Sequence, residues 1–209
     1  MALTPGDICN VALSKLGETK FIDSLTANTN NARVANLLYE PSRDALLEMV
    51  PWPFAERNVV LGELFNATDD STNVLLANSG WGYVYALPTD CLCPRYIETG
   101  LPNPAEDQKI PFKLRDSASN GVVLLTNEED AELVYTRKVT ETGKFSPLFV
   151  EALAWKLAYE FTFAIPVKPG VAERMMAGFN QRLLEAAAAS QKHEQQSPKP
   201  RPGAIRARS

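Results

Sequence analysis

The hydrophobic period of this chain changes twice. Up to about residue 56 apolar residues recur every three or four positions. From Arg57 to Thr140 short β-branched and aromatic runs alternate with turn clusters, and from Ser146 the helical period returns. That order is satisfied most economically by a helical bundle built from the N- and C-terminal segments, with an antiparallel β domain inserted between them. The predicted class is α+β, with bundle segments at 1–56 and 146–192, a β-rich insertion at 57–145 and an extended basic tail at 193–209. A length of 209 residues is enough to bury a sizeable core.

Thr4-Pro5-Gly6-Asp7 reads as an N-cap, a proline at the first helical position and an acid at the third. Ile8, Val11, Ala12 and Leu16 supply the inner face of that helix, and Gly17 ends it. A longer helix is expected from Thr29, with Ala32, Ala35, Leu38, Ala45, Leu46 and Met49 inward and Pro41 kinking or breaking it. Pro51 and Pro53 bracket Trp52 and stop it. Strands are expected at 58–61, 74–77, 81–87, 96–97, 112–115, 122–126 and 131–139, as a β-meander or small barrel. Asn120-Gly121 is the strongest hairpin signal. Tyr83, Tyr85 and Leu87 alternate as a strand does, their shared face expected to be the β core. Ser146-Pro147 opens a helix, 148–165, that is apolar around nearly its whole circumference, as suits burial in a bundle or against another subunit. A last helix, about 171–191, carries Ala172, Met175, Met176, Phe179, Leu183 and Leu184 on one side. Prolines at 198, 200 and 202 then make the tail extended and polyproline-like.

Charge is unevenly spread. Residues 1–191 hold 16 Lys and Arg against 24 Asp and Glu, a balance of −8 with most of the excess in the β block. Residues 192–209 hold five against one, or +4, and the sum is the formal −4. An acidic body does not suit nucleic-acid readout. One histidine, His193, argues against a histidine-driven triad or a multi-histidine metal site. Cys9, Cys91 and Cys93 form neither a disulfide framework nor a zinc-spaced pair, and are expected as small buried thiols in a reducing compartment. No glycine-rich phosphate loop or nucleophile elbow occurs. The acid clusters Asp69-Asp70, Glu106-Asp107 and Glu128-Glu129-Asp130 lie in polar, turn-like stretches, where solvated loops are expected rather than a glycosidase pair. No catalytic, cofactor or metal residues are therefore expected. The N-terminus lacks a signal-peptide pattern and no run reaches the roughly 18 apolar residues of a membrane span, so synthesis in a cytoplasm without membrane insertion is expected.

Two stretches carry a recognisable order. The first is Ala32…Ala35…Leu38-Tyr39…Arg43-Asp44-x-Leu46-Leu47…Pro51-Trp52-x-Phe54-Ala55-x-Arg57. The second is Trp81-Gly82-Tyr83-Val84-Tyr85-Ala86-Leu87-Pro88-x-Asp90-Cys91-Leu92. Tyr135 follows, then Phe145-x-Pro147-x-Phe149-x-x-Ala152-Leu153-x-x-x-Leu157-Ala158. Over roughly residues 8–190 this series resembles the tail tubular protein A family, the head-to-tail adaptors of short-tailed bacteriophages. The resemblance implies a helical bundle carrying a β-rich domain, assembled as a ring, usually of twelve copies, between the portal and the tail nozzle. Such a ring continues the DNA channel without specific binding and helps close the filled head; the protein, made in the bacterial host, ends in the virion neck. The resemblance further implies that Lys199, Arg201, Ile205, Arg206 and Arg208 reach along the neighbouring portal. Tyr39, Arg43, Trp52, Phe54, Tyr85, Pro88 and Asp90 stand as structural motif positions, with Trp52 and Phe54 anchoring the helix–β junction. The alternatives are a virion-associated peptidoglycan hydrolase using a carboxylate pair of the β block, and a tail-completion or terminator protein of a long-tailed phage.

Overall fold

A computed structural model describes residues 3–69, 73–76, 79–101 and 104–194. Among these the protein is α+β, with four α-helices and two antiparallel sheets holding seven strands. Two compact units divide the chain. One gathers Met1–Arg57, Asp90–Pro94 and Tyr135–Ser190; the other includes Asn58–Thr89 and Arg95–Val134. No helix among the described residues is long and apolar enough to cross a membrane.

The helical unit begins with α1 (Pro5–Leu16). Thr4 Oγ1 accepts from the Asp7 amide while the Asp7 carboxylate accepts from the Thr4 amide, a reciprocal cap, and Gly17 closes the helix in the left-handed region at φ 80°. Its buried stripe is Ile8, Cys9, Ala12 and Leu13. Val11 and Leu16, expected inward, are only half-buried, so the stripe is rotated from the sequence reading. Thr29 caps α2 (Asn30–Met49). This helix buries Ala32, Ala35, Tyr39, Ser42, Arg43, Leu46 and Leu47, whereas Met49, expected inside, is half exposed. Pro41 neither ends nor interrupts α2. It lies on the exposed side, where the one bond it forfeits is to the Leu37 carbonyl, four residues earlier, and the buried stripe holds the helix together from the opposite side.

Ser146 caps α3 (Pro147–Phe161), on which α1 and α2 both pack. Phe149, Ala152, Leu153, Ala154, Leu157, Ala158 and Phe161 are buried within this unit. Beyond Pro147 and Leu148 in the first turn, no α3 apolar side chain is exposed, so the bundle itself covers most of the circumference. The chain leaves the helix at Phe161, short of the expected Ile165, and continues through turns that expose Phe163. In α4 (Val171–Glu194) Val171, Met175, Phe179 and Ala186 face the core at near-four spacing. Met176 and Leu184, expected on the same side, face outward. Gly178 lets the helix close on α3: a Cβ there would lie 2.4 Å from the Trp155 ring.

The strands are β1 (Glu56–Val60), β2 (Glu63–Asn66), β3 (Tyr83–Ala86), β4 (Cys91–Ile97), β5 (Phe112–Ser117), β6 (Gly121–Thr126) and β7 (Glu132–Arg137). One sheet has the order β1-β7-β4 and the other β2-β3-β6-β5, so the sequential pairs β2–β3 and β5–β6 are joined by long-range neighbours rather than running on as a meander. The division between units falls within β1, β4 and β7. The expected strand at 74–77 is a turn in its described part: the Leu76 amide donates to the Asn73 carbonyl and the Leu75 amide to Asn73 Oδ1. β2 went unforeseen, because only Leu64 and Phe65 in it are apolar. Ser117 pairs with Gly121 across the β5–β6 hairpin, and Gly121 takes φ 65° at the Asn-Gly signal. The apolar cluster of the β unit gathers Leu76, Val84, Val123 and Leu125, with Trp81 and Phe65 packed on it. Val84 alternates with Tyr83 and Tyr85, so this cluster lies on the opposite face from the expected one, which is itself buried at Tyr85 and its cross-strand partner Leu124. The Tyr85 hydroxyl donates to the Glu128 carbonyl at 2.9 Å.

Candidate functional site

The residues that sequence singled out in the helical unit converge on two places. The first is α2, where helical spacing sets Tyr39 and Arg43 four residues apart on one face. Both are 2% exposed. A buried guanidinium needs an anion, and the next residue supplies it: Arg43 Nε donates to Asp44 Oδ1 at 2.7 Å. Nη2 lies 2.7 Å from the same oxygen but off the hydrogen-bonding direction, so the ion pair is made while that nitrogen remains without a hydrogen-bond partner. The other Asp44 oxygen meets Lys138 Nζ at 3.0 Å, and Glu40 stands 3.8 Å from Arg43 Nη1. Arg43 also lies over the Tyr39 ring, 5.9 Å from its centre.

Tyr39 has a buried hydroxyl with no hydrogen-bond partner among the described residues. Leaving such a group unpaired costs about 1–3 kcal/mol. Burial pushes its pKa up to about 12, against the smaller lowering effect of Arg43, so the group stays an O–H donor at neutral pH. Tyr39 and Arg43 border a groove of about 570 Å³, within the size range of small binding pockets. Pro5, Leu25, Leu37 and Pro41 give it apolar walls, and Glu40 stands at the rim with a side chain 66% exposed. Pro41 has no N–H to give the Leu37 carbonyl, so the proline that spares the helix adds an acceptor to this side. Donors, acceptors and apolar walls are equipment for recognition; no nucleophile stands beside a base among these lining residues.

The second place is structural. Trp52 is 3% exposed and donates from Nε1 to the Leu46 carbonyl at 2.9 Å. Its ring meets Phe149 edge-on at 5.0 Å, and Phe54 and Phe145 lie 5.2 Å and 4.7 Å from the same ring. Nearby in sequence to this anchor, Arg57 Nη1 reaches Asp90 Oδ2 at 3.3 Å, and the Tyr135 hydroxyl donates to Asp90 Oδ1 at 2.9 Å. The Asp90 carbonyl accepts from the Lys138 amide. Asp90 thus ties three distant stretches of the helical unit. Pro88 is half-buried in the segment joining β3 to β4.

The remaining candidates do not gather. Asp69, Glu106, Asp107 and Glu128–Asp130 are exposed, while Asp70 and the tail residues Lys199, Arg201, Ile205, Arg206 and Arg208 lie outside the described residues. Among the described residues no group of three or more His, Cys, Asp and Glu could hold a metal ion. All three cysteines are free, and only Cys9 is fully buried; Cys91 and Cys93 are half-buried. Burial pushes the Cys9 thiol up to about 12 and Cys91 to about 11, keeping both protonated at neutral pH. Sequence reasoning missed Lys138 and Glu40 as partners of the α2 cation. The available signal was an arginine falling on the same helical stripe as Ala32, Ala35 and Leu46. No protein-family model matches the chain, and no curated protein matches it.

Proposed function

We propose that this chain is a structural head-to-tail adaptor of a phage virion, forming a ring below the portal that extends the DNA channel and attaches the tail nozzle. The observation that carries the reading is convergence. Within the helical unit, the later motif positions gather in the Trp52–Phe54–Phe145–Phe149 cluster and the Arg57–Asp90–Tyr135 tie, while Tyr39 and Arg43 meet on α2 and Tyr85 lies in the β unit. A series of residues that meets in this way specifies one scaffold, as the resemblance implies. The charge division supports it as well: an acidic body repels sliding phosphates, and a basic arm is suited to clasp a partner.

Purified protein mixed with its portal should give rings in negative stain, with a mass that is a multiple of 23.0 kDa. A persistent monomer that never joins portal overturns the reading. Removing residues 197–209 should leave folding intact and weaken portal attachment, and added salt should weaken it too.

A further inference from the structure

The α2 groove is lined by Tyr39 and Arg43, with apolar walls and an acidic rim, and Tyr39 Oη and Arg43 Nη2 are buried without hydrogen-bond partners among the described residues. Its ligand must therefore bring acceptors, apolar surface and positive charge. An anion is a poor match, because Glu40 at the rim and Asp44 beside Arg43 already supply negative charge. A neutral carbonyl flanked by cations is a good one.

This chain contains such a segment. Residues 197–203 read Ser-Pro-Lys-Pro-Arg-Pro-Gly. Three of the seven have no N–H, so the stretch is rich in carbonyl acceptors and poor in donors. Its pyrrolidine rings suit walls of leucine and proline beside a tyrosine, the general manner in which polyproline segments are recognised. Lys199 and Arg201 complement Glu40. We propose that the α2 groove receives residues 197–203 of a second copy of this chain. The proposal rests on the adaptor reading for the side-by-side placement of copies, and it leaves Ile205, Arg206 and Arg208 beyond the groove, free for the portal. Six residues separate Glu194 from residue 200 and span about 19 Å in polyproline form, so the end of one α4 must approach the neighbouring groove within that distance.

The test uses the full chain with photoreactive benzoylphenylalanine in place of Leu37, which is 71% exposed on the groove wall, mixed with isotopically heavy full chain. Illumination should join position 37 to residues 197–203 of the other isotope. Charge reversal at Lys199→Glu and Arg201→Glu should cut the yield at least tenfold. Tyr39→Phe, made in the same background, should cut it several-fold without lowering the melting temperature, since it removes only an unpartnered hydroxyl. Cross-links confined to one copy, cross-links elsewhere, no cross-link, or a yield indifferent to Tyr39→Phe would each overturn the proposal. Rings that bind portal without the 197–203 cross-link would leave the adaptor reading standing while this one falls.

Discussion

α2 and α3 lie together at the centre of the helical unit and are buried by opposite means. α3 buries Phe149, Leu153, Leu157, Phe161 and three alanines, with no ionic group among its buried residues. α2 fills part of its buried stripe with Ser42, Arg43 and a tyrosine whose hydroxyl has no partner. Apolar burial is self-sufficient. A buried ion pair is not, because desolvating the charges offsets most of their attraction, and well-packed apolar residues of the same volume would hold the helix at least as well. The difference separates roles: α3 is scaffold, and α2 carries polar groups that stability alone does not require, next to the groove where a partner can use them.

Truncation in α3 should have the largest effect. Phe149→Ala empties the centre of the aromatic cluster and should lower unfolding free energy by about 3–5 kcal/mol in a denaturant titration. Next comes Arg43→Ala, which leaves Asp44 facing only Lys138 and should cost roughly 3 kcal/mol by the same measurement. Replacing both partners by apolar or neutral residues, Arg43→Met with Asp44→Asn, should recover much of that loss. If the single change costs nothing, the contrast between the helices is spurious. Gly178→Ala should cost about 1–3 kcal/mol, since the added methyl must displace the Trp155 ring from between α3 and α4. A neutral result there would place the α4 contact outside the core.

What could be read from sequence follows the same line. Helix starts at Thr4, Thr29 and Ser146 were legible because caps are local chemistry, complete within four residues. The Asn120-Gly121 hairpin was legible for the same reason. The α2 interior was not: Arg43 has the composition of a surface residue, and Pro41 that of a helix end, until packing decides otherwise. Sheet order was hidden because β3–β6 and β1–β7 pairings are long-range, and no local pattern encodes a neighbour about forty residues away or more. Asp90 could be singled out by pattern, but its hydroxyl donor, Tyr135, and its cation, Arg57, only meet it in space. The groove was invisible, since an unpartnered hydroxyl is a property of packing.

The smallest effect probes the polar contact that ties α3 to α1. Glu151 Oε1 accepts from Lys15 Nζ at 2.9 Å and from Trp155 Nε1 at 2.8 Å, with Lys15 also 4.4 Å over the Trp155 ring. Burial alone would raise this carboxyl, but the bonds from Lys15 and Trp155 outweigh it together and hold the pKa below the ordinary 4.5. A lowered folded-state pKa stabilises the fold above the unfolded value, and that contribution disappears as pH falls through the folded one. Glu151→Gln should therefore melt slightly below the parent at neutral pH, with the gap closing as the solution is acidified below the ordinary carboxylate value of 4.5. The gap must be small, because the carboxylate side chain is 39% exposed and solvent screens the pair. A gap that stays constant on acidification would mean that the ion pair adds nothing and that apolar contact alone seats α3. A gap as large as that of Arg43→Ala would instead erase the distinction between the two helices.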